Sequence, residues 1–146
     1  MVIRYKPLIC GMSLGILLFI SLYGNIFAHE LGHYFAANHF NLQPQMHLFD
    51  NSADNKYSFF NAQFYTTYTN PSSQESYVDF VIALAGPLTN IFIGLILLCV
   101  YFAIPKTMRM LKLGILMLLM PTILSIISNL IPVPGTDGRI ICNYLR

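Results

Sequence analysis

Charge is scarce in this sequence. Asp, Glu, Lys and Arg make up only 10% of its 146 residues, against about 25% in an ordinary soluble domain. A water-soluble globule could not cover itself with so little polar surface, so the solvent expected for this chain is a bilayer. Basic runs are also missing, and a formal net charge of +2 is too small to hold a polyanion. Nucleic acid is therefore excluded as a partner. Cysteine is sparse and unpaired. Cys10, Cys99 and Cys142 lie far apart and form no C-x-x-C pair, so neither a disulfide framework nor a thiolate zinc site is indicated, and the three read as small apolar packing residues. Internal repeats and low-complexity tracts are absent.

Long apolar runs are abundant, and 55% of the residues are hydrophobic. Leu8 to Ala28 is a run of 21 residues without a charge. As a helix it would be about 31 Å long, enough to cross the hydrocarbon layer. A signal peptide is the competing reading, since Arg4 and Lys6 precede the run. No A-x-A-like site follows, however, and the run exceeds an ordinary h-region. A second uncharged run covers Phe80 to Ile104, and a third runs from Leu113 to about Val133 with Pro121 inside it. A proline kink is tolerable where neighbouring helices cover the freed backbone.

A polar insert, Asn41 to Ser76, separates the first two runs. Gln45–Phe49 and Lys56–Thr69 flank a turn-like Asp50-Asn51-Ser52-Ala53-Asp54-Asn55. The second stretch is rich in Tyr, Phe and Thr with partial alternation, which favours one or two β-strands. The expected fold is thus an α-helical membrane protein. Its three-transmembrane-helix core has spans at about 8–37, 80–104 and 113–133, with a small β-rich membrane-associated insert, 41–76, after the first helix. Residues 1–146 are expected to form a single domain, an integral multi-pass membrane protein with tyrosines and phenylalanines near the span ends as interface anchors.

Three motifs carry chemistry. His29-Glu30-Leu31-Gly32-His33 ends the first span. Residues four apart share a helix face, so His29 and His33 can grip one metal ion. Glu30 can then reach a water whose pKa a zinc ion lowers to about 7, and act as general base. The bland alternative is two helix-end histidines and a glutamate solvated at the interface. Against it stands the position of three ionisable groups at the end of an apolar run, where each such group costs free energy.

A catalytic zinc usually has three protein ligands. The candidate for the third is Asp137 in Asn129-Leu130-Ile131-Pro132-Val133-Pro134-Gly135-Thr136-Asp137-Gly138. Its prolines and glycines force the segment out of regular helix, making a turn that either builds a site or simply exits into water.

The third motif is Ala85-Gly86-Pro87-Leu88-Thr89-Asn90, early in the second span. Here Gly86 allows close backbone approach and Asn90 sets an amide about 15 Å deep by helical rise. Helix–helix adhesion through Gly and Asn is the alternative. With three spans, the end of the first, the start of the second and the end of the third fall on one side of the bilayer, so these motifs can meet. His39 and His47 lie outside them: His39 reads as a solvated histidine just past the helix end, and His47, in the insert, as a residue with no metal role.

In this order the motifs resemble those of the site-2 protease family of intramembrane zinc metalloproteases. H-E-x-x-H stands at His29–His33, the glycine-proline-asparagine element at Gly86-Pro87…Asn90, and N-x-x-P-x-P-x-x-D-G at Asn129–Gly138. The resemblance covers nearly the whole chain as a minimal version of the family's three-helix core. It implies that His29, His33 and Asp137 bind one Zn2+ and that Glu30 activates water. Asn90 and Asn129 would orient the site or the scissile carbonyl. It further implies a membrane-spanning or membrane-tethered protein substrate, paired as a strand on the insert's edge, and allows a regulatory membrane protein. A non-catalytic metal- or partner-binding membrane protein that keeps the same fold is the alternative. Orientation is contested. The family usually holds its site toward the cytosol. Five basic residues on the far side (Arg4, Lys6, Lys106, Arg109, Lys112) against three on the motif side (Lys56, Arg139, Arg146) lean toward a site facing out.

Overall fold

A computed structural model describes residues 6–50, 63–69 and 77–146. Helix α1 (Lys6–His39) leads into an antiparallel pair of strands, β1 (Gln45–Asp50) and β2 (Gln63–Thr67). Helices α2 (Tyr77–Ala103), α3 (Arg109–Leu130) and α4 (Asp137–Tyr144) follow. Among the described residues three helices are long and apolar enough to cross a membrane, and they overlap the three expected spans. The small sheet sits after the first of them, as the insert's composition implied. The turn expected at 50–55 lies almost wholly outside the described residues, as does the start of the second stretch.

The third span ends at Leu130 rather than near Val133. Ile131 is already extended, at φ −68° and ψ 128°, because Pro132 disfavours helical backbone in the residue before it. Asp137, expected on a turn, instead opens the short helix α4, which composition alone did not announce. Extended Thr136 precedes it, and the Thr136 hydroxyl bonds back to the carbonyls of Ile131 and Val133 at 2.5 and 2.9 Å. Gly135 sits at φ +87°, the left-handed region that glycine enters without steric cost.

The distribution of side chains is the reverse of a soluble protein's. Ile16, Phe92, Phe102 and Leu124 stand on the outside, whereas Ser21, Asn25, His29, His33, Asn90 and Thr122 are buried. Leaving one large apolar side chain in water forgoes about 1.5–3 kcal/mol. A dozen such residues would exceed the roughly 5–15 kcal/mol by which a domain is stable. Lipid is the environment in which this surface costs nothing, and the chain is a multi-pass integral membrane protein.

Each of α1, α2 and α3 packs on the other two, α4 packs on α2 and α3, and both strands lie against α1. Without a hydrophobic force between helices in lipid, close approach and internal hydrogen bonds must hold the bundle. Ser21 supplies one such bond, donating from α1 to the Leu118 carbonyl of α3 at 3.1 Å. Gly32 lets α1 and α2 approach closely. A Cβ there would lie 2.5 Å from Thr89 Oγ1 and 2.7 Å from the Ala85 carbonyl oxygen. The carbonyl is backbone and cannot yield unless α1 and α2 separate. Gly32→Ala is therefore expected to cost about 1–3 kcal/mol, the ordinary penalty of overpacking. Thermal unfolding in detergent micelles checks this, and an unchanged midpoint would show that the contact has slack.

Candidate metal centre

The last three turns of α1 carry His29 and His33 on one face, both buried. Their Nε2 atoms are 3.1 Å apart. Asp137 reaches them from the first turn of α4, with Oδ2 3.0 Å from His29 Nε2 and Oδ1 3.4 Å from His33 Nε2. These three residues are the group able to hold a metal ion among those described. Ligand atoms placed tetrahedrally about 2.0–2.2 Å from a zinc ion would stand about 3.3–3.6 Å from each other. The observed separations are that distance or slightly less. Asp137 Oδ2 is moreover buried without a well-formed hydrogen bond, although a ring nitrogen is only 3.0 Å away. A buried oxygen beside a nitrogen, close but not aligned for a hydrogen bond, suits two atoms that share a third partner. The donor set of two imidazoles and a carboxylate also matches zinc chemistry, so the residues present fit the ion.

Surrounding groups fix the donors. His33 Nδ1 lies 2.7 Å from the Ile82 carbonyl oxygen. A carbonyl only accepts, so Nδ1 carries the hydrogen and a neutral ring leaves Nε2 with its lone pair facing the site. His29 Nδ1 faces Asn90 Nδ2 at 3.3 Å. Asn90, fully buried, also donates to Ser125 Oγ at 2.8 Å. Burial, the largest influence on Asp137, pushes its carboxyl up, but the adjacent His29 and His33 more than offset it and hold it below the usual carboxylate range. At neutral pH the third donor is thus a charged carboxylate.

The motifs expected to meet do so. Gly86 lies directly against the imidazoles, Pro87 is buried one residue on, and Asn90 touches His29. Asn129 approaches at one remove, donating to Ser125 Oγ at 3.3 Å. Glu30 stands between the histidines on α1, half-buried, and its backbone carbonyl accepts from Thr66 of β2 at 3.1 Å. The sheet is therefore tied to α1 at the motif itself. A second tie is Tyr68, whose hydroxyl donates to Asp79 Oδ1 in the first turn of α2 at 3.0 Å. Burial, reinforced by the Asp79 charge, pushes this phenol well above its usual range, so it stays a donor at any physiological pH.

Sequence reading missed Ser125 and the aromatic anchor of α4, and read Gly138 as part of a turn where it is the second residue of α4. Ser125 falls one turn before Asn129, a spacing of four that could have flagged a shared face. Gly138 packs so tightly on the Leu130 carbonyl that a side chain would collide with it. At the far end of α4, Tyr144 stacks on Phe80 with ring centroids 4.6 Å apart. Both contacts hold the helix that carries Asp137. His47 bonds Thr67 and stacks on Tyr65, away from the donor group.

The family model described as Peptidase family M50, the site-2 protease family, matches residues 17–114, about two thirds of the chain. No curated protein and no solved structure matches it. The matched stretch includes His29–His33 and Gly86–Asn90 but ends before Asp137.

A Cβ on Gly86 would lie 2.5 Å from His33 Nε2 and 2.7 Å from His29 Cε1. The rings can swing aside, so Gly86→Ala is expected to fold yet misplace both nitrogens. Zinc affinity, measured by chelator competition, should fall by about 10–100-fold, the range seen when a metal site loses its supporting contacts.

Proposed function

Because this chain belongs to peptidase family M50, we propose that it is a zinc-dependent intramembrane endopeptidase acting on transmembrane or membrane-tethered proteins. The observation that carries this reading is the convergence of His29, His33 and Asp137 at one end of a three-helix membrane core. Zinc, when bound, would polarise the scissile carbonyl and acidify water. His29, His33 and Asp137 would hold the ion, with Asp137 supplying the one negative charge among them.

Glu30 is the general base in this reading. It follows His29 directly in the chain, at the same end of α1. It takes one proton from the attacking water as the water oxygen bonds to the carbonyl carbon. It then returns that proton to the leaving amine nitrogen as the C–N bond breaks. A metal-holding protein would have no need of a carboxylate at this point, which favours hydrolysis over the non-catalytic alternative. A helical peptide bond is shielded, so the substrate must be unwound near the site. The two-stranded sheet fastened to Glu30 through Thr66 suits that task, since a sheet edge can pair an extended segment.

Glu30→Gln is the decisive variant. It should keep zinc at one ion per chain while cleavage of a co-reconstituted single-span protein falls by at least about a hundredfold, the lower end of general-base contributions. Retained cleavage would remove Glu30 from the mechanism. Zinc bound by wild type with no cleavage of any tethered reporter would favour the non-catalytic holder.

A further inference from the structure

A polar chain runs from α3 through α2 to the metal centre. Asn129 Nδ2 donates to Ser125 Oγ at 3.3 Å, Ser125 Oγ accepts from Asn90 Nδ2 at 2.8 Å, and Asn90 Nδ2 stands 3.3 Å from His29 Nδ1. Three helices thus meet at the Asn90 carboxamide, and the Ser125 hydroxyl joins it to Asn129. Asn90 is wholly buried and cannot exchange these partners for water.

The two ends of a carboxamide have the same shape, so its orientation follows the demands of its neighbours. With nitrogen toward His29, the amide donates to Nδ1 and the imidazole hydrogen belongs on Nε2. A metal ligand needs the opposite, with hydrogen on Nδ1 and the lone pair on Nε2. Turning the amide over provides it, because the Asn90 oxygen can accept from Nδ1–H. The other end of the amide has no hydrogen-bond partner among the described residues, and the turn leaves it so. It does not decide between the two orientations. Ser125 does not oppose the turn either. A hydroxyl both donates and accepts. It can receive the amide N–H in one orientation and give its own O–H to the amide oxygen in the other, while still accepting from Asn129.

We infer that Ser125 is a positioning residue of the metal centre: its hydroxyl holds the Asn90 carboxamide against His29 in either orientation, and so sets the aim of the His29 lone pair. This rests on the reading of His29, His33 and Asp137 as zinc ligands. It assigns a role to a residue that lies outside all three sequence motifs and is not one of the three candidate donors.

Zinc affinity of the purified full chain in detergent, measured by chelator competition, tests it without any substrate. Ser125→Ala should weaken zinc by about tenfold, the low end of the effect of outer-shell partners, and Ser125→Thr, which restores the hydroxyl, should stay within about twofold of wild type. Asn90→Leu should weaken zinc by about 10–100-fold, and adding Ser125→Ala to it should cost less than about a further twofold, because the hydroxyl acts through the amide. Unfolding midpoints of the metal-free variants show whether each is folded. Wild-type affinity in Ser125→Ala would overturn the inference and leave the metal reading standing. So would the full tenfold loss repeated on the Asn90→Leu background, which would mean a general packing effect. A wild-type chain that binds no zinc would overturn the metal reading itself, and the positioning role with it.

Discussion

Two imidazoles and a carboxylate must be kept satisfied at one end of helices whose outer faces are hydrocarbon. Each ionisable group at the centre of a span costs about 2.5–3.5 kcal/mol to place in a membrane, and less toward its ends. Scattered, the three would be a burden. Gathered within 4.8 Å of one another, they share one centre, with backbone and amide groups around them. Ile82 provides a carbonyl, Asn90 an amide, and Asp137 the only formal negative charge among the three donors. The placement of α2 against α1 and of α4 against both α2 and α3 follows from bringing those groups into contact.

Close contact needs space, and three glycines provide it in different ways. Gly32 lets the α2 backbone approach α1. Gly86 leaves room for the rings of His29 and His33. Gly138 lets α4 fold back on the Leu130 carbonyl at the end of α3. A glycine inside a helix costs roughly 0.5–1 kcal/mol relative to alanine. At these positions that cost is smaller than the overpacking a methyl group would bring. By contrast a Cβ at Gly11, Gly15 or Gly24 would meet nothing, so their presence on α1 serves none of the packing described here.

Much of this was legible because lipid imposes simple rules on a sequence. Uncharged runs of span length imply three helices, and their alternating direction alone puts His29, Gly86 and Asp137 on one side. What could not be read was local. The end of α3 at Leu130 depends on the restriction that Pro132 imposes on Ile131, which a hydropathy window overrides. Helix α4 has eight residues, too few to stand out, and its stability comes from Gly138 at one end and the Tyr144–Phe80 stack at the other. Ser125 was invisible for another reason. A single serine in an apolar helix is ordinary, and only the arrival of Asn90 from α2 and Asn129 from the next turn gives its hydroxyl a task.

Helix α1 explains how two histidines can be buried at this end of the bundle. Ser21, Asn25, His29, His33 and Ala37 follow at intervals of four and are all buried, while Leu18, Leu22, Phe27 and Phe35 stand outside. One inward row therefore runs along the helix, polar for most of its length, and H-E-x-x-H is two successive positions of that row. The first shares it with Asn25 below, whose amide bonds the Ser21 carbonyl at 2.8 Å, and the second with small Ala37 above. Such a row would be unsatisfied unless neighbouring helices brought polar partners, which α2 does with Asn90 and α3 with the Leu118 carbonyl. Asp137 completes the set from beyond residue 114, where the family match stops. Its place beside His29 and His33 is set by the folding of α4, which brings the carboxylate within 3.0 and 3.4 Å of the two rings.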